Sequence, residues 1–566
     1  MAKLPPPDPR RLNALPLIED GIFYYRQGRP AEAEERFRQV LKKIPDQPDA
    51  LFFLGLIKLG QHKLADALKL MSKALKASPR FAEAQFVSGS ILNLLGRPQE
   101  ALAAYNRALA IKPDHVNALN DLGNTLKLLG RPEEALLAYD KAIAAAPDVA
   151  ISYNNKGTAL AELKRFGEAI ENYDRALTLK SDYAEAHNNR GGALLVLSDP
   201  DQALKSFERG LALRADYAEA INNTGIALQG LNRHHEALTW HERALALNPN
   251  NANAHVSLAN ACLALGHYEQ GWAEYEWRWW TNDLAPFRKT LRSQPWTGEQ
   301  SLENKSILLY AEQGYGDILQ FSRYVPMVAK RGARVILELP RPLMALFDSL
   351  AGVSQLICRG DKPPTTDFHC PLLSLPRAFR TGLSTIPAET PYLKAPADRI
   401  AKWQDRLAGC SGRKIGVAWS GRQYPRNRSI PLASFDRLFS LPGQTFISLQ
   451  QELPDAEASR LAEHASVLHF GAELQDFADT AGLIACLDLV MSIDTSTAHL
   501  AGAMGKPLWL MLLFGSDFRW LVDRDDNPWY PTARLFRQPN VGDWESVVNR
   551  LQRELEQNPD SVASHS

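Results

Sequence analysis

"SIDTSTAHLAGAMGKP", residues 492–507, places Asp494, Thr495, Ser496, Thr497 and His499 between an apolar run and a stretch of small residues. Leu487, Leu489, Val490, Met491 and Ile493 precede it, and Leu508 to Phe514 follow it, so both flanks read as buried strands of a parallel sheet. The polar residues then fall on a strand-to-helix turn. In an open α/β sheet such turns lie at the carboxyl edge of the strands, where ligands bind, and the next helix aims unpaired N–H groups at them. This chemistry suits an anion.

Working outward, a chain of 566 residues exceeds one hydrophobic core, and an apolar content of 45% is ordinary for folded protein, so several domains are expected. Lys plus Arg and Asp plus Glu both total 64, which removes any global electrostatic case for nucleic acid or an anionic membrane as partner. The five cysteines, at 262, 358, 370, 410 and 486, show neither metal-ligand spacing nor a disulfide framework. The opening "MAKLPPPDPRRLNALP" has prolines where a signal peptide needs an apolar run, and no segment approaches about 18 continuous apolar residues. A cytoplasmic protein is the expectation.

Leu68, Leu102, Leu136, Ile170, Leu204 and Leu238 stand 34 residues apart, as do Gly55, Gly89, Gly123, Gly157, Gly191 and Gly225. Pro45, Pro79, Pro113 and Pro147 keep the same step. Two amphipathic helices per 34 residues, with a small residue at their crossing and a proline after the second, is the tetratricopeptide pattern. Tyr105, Tyr139, Tyr173 and Phe207 are read as filling the space between neighbouring repeats. Stacked helix pairs form a superhelix whose concave wall offers a groove for a polypeptide. On that wall the first helices carry Asp121, Asn155, Asn189 and Asn223, one per repeat, beside Asn120, Asn154, Asn188 and Asn222. An amide donates and accepts at once, so such a row can hold the backbone of an extended acceptor peptide. Intra-solenoid bonding is the competing role.

"QGWAEYEWRWW" (270–280) breaks the period, and Trp272, Trp277, Trp279, Trp280 and Trp296 are read as packing at a domain seam rather than as a stacking platform. From Ile307 the pattern becomes strand, turn, helix, strand, and a second α/β unit starts at "KIGVAWSG" (414–421). Strands are expected at 414–419, 445–449, 467–470, 487–493 and 508–514. The resulting division is a tail (1–16), a repeat solenoid (17–272), a Trp-rich junction (273–300), an α/β lobe (301–396), a second lobe (412–556) and a tail (557–566). "EQGYGD" (312–317) lacks the Lys-Ser/Thr of a phosphate loop and is too short for a dinucleotide fingerprint.

Residues 300–555 resemble the GT-B glycosyltransferases of the ADP-heptosyltransferase-like family, through "GYGDILQFSRYVP" in the first lobe and "DTSTAHLAGAMGKP" in the second. With the repeats, the whole chain resembles tetratricopeptide-containing protein glycosyltransferases: in architecture the O-linked N-acetylglucosamine transferases, and more closely bacterial flagellin glycosyltransferases. The resemblance implies an α-solenoid followed by a GT-B fold of two Rossmann-like lobes. It also implies transfer of a sugar from a nucleotide donor to Ser or Thr of a protein acceptor, with flagellin the acceptor suggested. Carried onto this sequence, the donor-phosphate site falls on Gly421, Asp494, Ser496, Thr497 and His499, with Arg426 or Arg428 where heptosyltransferases have a lysine, and the proposed base falls on Asp317.

Read as chemistry, the hydroxyls of Ser496 and Thr497, the helix N–H groups and an arginine offset charge on a leaving phosphate, the main catalytic term open to a metal-free transferase. With no Asp-x-Asp motif at a comparable strand end, no metal requirement is expected. Gln450 in "FISLQQE" is a candidate cleft residue, His499 is alternatively a buried helix residue, and Asp317 is as good a helix cap as a base, with Glu312 next in line. No cofactor is expected beyond the co-substrate, a CMP-linked nonulosonic acid or a UDP-N-acetylhexosamine. Two other functions stay open: a tetratricopeptide scaffold with an inactive α/β half, and a lipopolysaccharide-type heptosyltransferase.

Overall fold

A computed structural model of the chain describes residues 14–285, 291–421 and 428–557. It divides into two compact units, 1–193 and 194–566. The break falls inside helix Ala184–Val196, so the later helix pairs belong with the α/β part.

The first unit is a run of helix pairs, from Leu15–Arg26 with Pro30–Lys43 to Ala150–Glu162 with Phe166–Leu179. The second helix of a pair ends two residues before the periodic proline, as Lys43 does before Pro45 and Ile111 before Pro113. Proline there has no N–H to extend the ladder. The aromatic residue of the repeat corrects one expectation. Tyr105, Tyr139 and Tyr173 lie over Gly89, Gly123 and Gly157 of their own repeat, where an added Cβ would sit 2.4–2.6 Å from the ring. The ring fills the crossing within a pair, and the Tyr139 hydroxyl donates back to Asn124 Oδ1 of that pair at 2.7 Å.

In the second unit the pairs Ala218–Gly230 with His234–Leu247 and Ala252–Ala264 with Tyr268–Tyr275 lead into two sheets. The last repeat helix runs past residue 272 into a 3-10 turn, Glu276–Trp280. The seam reading of the tryptophans holds for Trp272, Trp279 and Trp296, which are buried. Trp272 packs edge-on against Phe321 and Phe518, joining the last repeat to both sheets. Trp280 is 55% exposed, and Trp277 stacks on His255 with ring centres 3.9 Å apart.

The first sheet comprises β1 (Gln294–Pro295), β2 (Ser306–Tyr310), β3 (Arg334–Leu339), β4 (Val353–Cys358) and β5 (Phe368–Pro371), in the order β1-β5-β2-β3-β4. The second comprises β6 (Arg413–Ala418), β7 (Gln444–Ser448), β8 (Val467–His469), β9 (Leu489–Ile493), β10 (Leu508–Leu512) and β11 (Ala533–Arg537), in the order β11-β10-β9-β6-β7-β8. All strand pairs in both sheets are parallel. The five strands expected in the second lobe are present within one or two residues at each end; β11 escaped the sequence reading. Parallel strands buried on both faces need helices on each side, which explains their continuous apolar runs.

The second sheet has the doubly wound order, reversing direction between β6 and β9; the first reverses between β2 and β5. A crevice forms where neighbouring connections leave a sheet in opposite directions, and ligands bind there, beyond the carboxyl ends of the strands. These two reversals set the position of the site. No helix among the described residues is long and apolar enough to cross a membrane.

Candidate functional site

A cleft of about 1340 Å³ lies at the carboxyl ends of both sheets. Its walls are the turn after β2 (Gln313 to Asp317), the turn after β6 (Ser420, Gly421 and Arg428), the turn after β7 (Leu449 to Gln451), the turn after β9 (Asp494 to Thr497) and the turn after β10 (Asp517 to Arg519). A further wall comes from the last repeats, with Asn223, Asn253 and Asn260.

Helix Ser496–Ala503 starts at this cleft from Thr495, whose extended backbone (φ −140°, ψ 174°) marks the change from strand to helix. Its first turn has N–H groups with no intrahelical acceptor. Ser496 and Thr497 are partly exposed there and line the cleft. Gly316, on the facing helix Tyr315–Phe321, permits the close approach: a Cβ there would lie 2.7 Å from His499 Cδ2. A glycine is required by contact rather than by backbone angle.

The predicted cation is Arg428, which lines the cleft; Arg426 lies outside the described residues. Arg428 Nη1 donates at 2.8 Å to both Asp494 Oδ2 and the Asp494 carbonyl. Asp494 itself lines the cleft. A carboxylate would repel a phosphate, and here it aims the arginine instead. Burial pushes the Asp494 carboxyl up and Arg428 draws it back, leaving it above the ordinary range. Gly421 N–H donates to Ser429 Oγ at 3.2 Å, and Gln450 Oε1 accepts from Ser420 N–H at 3.3 Å, so both brace the turn after β6 at the cleft edge.

His499 is 4% exposed. Its Nδ1 pairs with the Tyr530 hydroxyl at 3.0 Å, its ring stacks on Trp520, and its Nε2 is 3.8 Å from Asp494 Oδ1. Burial, reinforced by Arg519, holds it down at about 3. It is a neutral wall of the cleft, which favours the buried-residue reading over a charged phosphate ligand.

Asp317 caps its helix and also lines the cleft. Its Oδ2 accepts the Gly314 N–H at 3.1 Å. Its Oδ1 is ion-paired with Arg519, which also donates to Asp517 Oδ1 at 2.7 Å. The sequence reading missed Arg519 and Asp517. Their signal was positional: "FGSDFRW" (514–520) leaves a buried strand at the same sheet edge as "DTSTAH". Glu312 loses its standing as an alternative base, because its side chain is 1% exposed and paired with Arg278 at 2.9 Å, outside the cleft lining. Burial nevertheless lifts it to about 7 against the pull of Arg278.

The asparagine row separates into two roles. Asn120 Nδ2 donates to Ser152 Oγ at 2.9 Å, Asn154 Oδ1 accepts from Asn189 Nδ2 at 3.0 Å, and Asn222 Oδ1 meets His241 Nδ1 at 2.9 Å. These bonds are structural, and they engage Asn189 as well. Asp121 accepts from Ser90 Oγ at 3.4 Å. Asn155 Nδ2 is buried without a partner among the described residues, and Asn223 faces the cleft. Among the described residues no group of three or more His, Cys, Asp or Glu is gathered as for a metal ion.

Tetratricopeptide-repeat profiles match residues 21–57, 54–116, 92–154, 157–196 and 182–250. Residues 21–250 are tetratricopeptide repeats. Such repeats serve as scaffolds for protein partners. The chain is 27% identical over 319 residues to Protein FlbA of Caulobacter vibrioides, an alignment covering 52% of this chain and 53% of that one, so it spans about half the length of that relative. It is 40% identical over 62 residues to cellulose synthase operon protein C of Pseudomonas fluorescens, covering 11% of this chain and 4% of the other. Similar solved structures include the APC/C hetero-tetramer Cut9–Hcn1 (21% identity, TM-score 0.37, 40% of this chain and 44% of that one). They also include YrrB, described as a TPR protein with an unusual peptide-binding site (23% identity, TM-score 0.28, 32% of this chain and 95% of that one).

Proposed function

We propose that the α/β half is a GT-B glycosyltransferase that moves a sugar from a nucleotide donor to Ser or Thr of a protein held by the repeats, with flagellin as that protein. The observation that carries the reading is the convergence of both sheet reversals on one cleft that also takes a wall from the repeats. A donor at the second sheet and a polypeptide along the repeats then meet at Asp317.

The donor's phosphate sits against the first turn of helix Ser496–Ala503, within reach of Arg428 and the hydroxyls of Ser496 and Thr497. The acceptor hydroxyl attacks the anomeric carbon from the opposite side, with inversion. A bond from that oxygen to carbon forms, the bond from carbon to the phosphate oxygen breaks, and the hydroxyl proton passes to Asp317. Charge grows on the leaving phosphate, where fixed donors offset it without reorganising. A CMP-linked nonulosonic acid and a UDP-N-acetylhexosamine are the two donors to try first.

A second reading has an observation of its own. Asp317 has both oxygens engaged, by Gly314 and Arg519, which favours a binding module without turnover. A thermal-melt panel of nucleotide sugars tests the donor site, because a ligand bound only by the folded state raises its stability by mass action. One nucleotide should raise the melting temperature, and its sugar conjugate should raise it further. A flat response across CMP, UDP, ADP and GDP sugars refutes the donor reading.

A further inference from the structure

Among the described residues that line the cleft, carboxylates outnumber cations: Arg278, Arg428 and Arg519 stand against Glu219, Asp283, Asp317, Asp476, Asp494 and Asp517. Arg428 is held by its own lobe, since Asp494 closes β9 of the same sheet. Arg519 is held differently. It leaves β10 in the second lobe, and one of its two carboxylates, Asp317, belongs to the first.

We propose that Arg519 is an exchangeable cation for which Asp317 and a donor phosphate compete, so that donor binding releases Asp317 to take the acceptor's proton. The inference rests on the reading of the cleft as a nucleotide-sugar site and adds to it a coupling between donor binding and the base.

Three observations support it. A guanidinium has five N–H groups; Arg519 spends one terminal N–H on Asp517 and one on Asp317, and its buried Nε has no partner among the described residues. Its donor capacity is under-used although the residue is only 8% exposed and lines the cleft. Burial alone would favour a neutral guanidinium, but Asp517 and Asp317 outweigh it and hold the charge on Arg519. Asp517 remains as its anchor, and Asp317 keeps the Gly314 N–H as its own, so neither element has to unfold when the cross-lobe pair opens.

The exchange makes a prediction of unusual sign. If Asp317 competes with phosphate for Arg519, Asp317→Asn tightens anion binding; if Asp317 merely holds Arg519 in place, the same change weakens it. Asparagine keeps an oxygen for the cap on Gly314, so the variant should fold. The probe is inorganic pyrophosphate, titrated calorimetrically into the full chain. Arg519→Gln should weaken binding about tenfold or more, the loss of a charge-assisted bond, and Arg519→Lys should recover part of it. Asp317→Asn should tighten binding about threefold or more in the wild-type background and have no effect in the Arg519→Gln background, because the coupling runs through that arginine.

Several outcomes overturn the proposal: pyrophosphate bound normally by Arg519→Gln and by Arg519→Lys, weaker binding by Asp317→Asn, tightening by Asp317→Asn that persists without Arg519, or no pyrophosphate bound by the wild type. Failure of the wider reading looks different. Arg519-dependent pyrophosphate binding with no nucleotide sugar bound leaves the exchange intact and removes the glycosyltransferase.

Discussion

At the residue scale, each arginine in the cleft is aimed by a carboxylate, and aim decides which charges act on a ligand. Arg428 is held at the cleft wall by two bonds to Asp494. Arg428→Gln should therefore raise the dissociation constant of the preferred nucleotide about tenfold or more, read by calorimetry; an unchanged value would remove it from the donor site. A different residue adds to the loss of stability in acid. Burial, with His234 nearby, lowers His241 from 6.5 to about 3, and its ring is neutral between Asn222 and Gln229. Below pH 6.5 the unfolded chain takes up a proton that the folded chain refuses, so the stability present above 6.5 is lost as pH falls toward about 3, by up to about 1.4 kcal/mol per pH unit. His241→Phe, the residue type at position 207 one repeat earlier, should flatten the slope of denaturant stability between pH 6 and pH 4 by that amount. An equal slope in both proteins would show that His241 does not carry it.

At the scale of elements, two glycines of the repeat helices behave differently. Gly123 ends under Tyr139, where an added Cβ would lie 2.4 Å from the ring, while Gly60 closes helix Pro48–Gly60 with nothing within 4 Å. Gly123→Ala should cost about 1 to 3 kcal/mol through overpacking, whereas Gly60→Ala should gain a few tenths to about 1 kcal/mol through helix propensity. Chemical denaturation of the two variants checks the pair, and equal effects would contradict it. The period of 34 made the helix pairs legible because every repeat restates the same packing problem. The strands at 489–493 and 508–512 were equally legible, as buried apolar runs. Strand Ala533–Arg537 was not, since its arginines at 534 and 537 break the apolar run, and those side chains are held by Glu554 and by backbone carbonyls. The cleft was legible in its strand-end motifs. The partners of those motifs were not, because Arg519 is 202 residues from Asp317 and nothing local marks the pair.

At the scale of the whole molecule, the account joins two surfaces with different duties. In the proposed function the repeats bear the acceptor, and the turns of the parallel sheets bear the donor. Replacing Asn155, Asn189 and Asn223 together by alanine should weaken acceptor binding and leave nucleotide binding unchanged, because only Asn223 reaches the cleft and none lies on a sheet turn. Parallel loss of both would mean that the row supports the fold rather than the acceptor. The central claim is transfer itself, and intact-mass measurement of flagellin from the same organism, incubated with the chain and each stabilising nucleotide sugar, tests it most directly. The predicted result is flagellin heavier by one or more sugar residues on Ser or Thr, with a rate that falls on the order of 10²-fold or more for Asp317→Asn. Flagellin of unchanged mass, with every donor left intact, would contradict it.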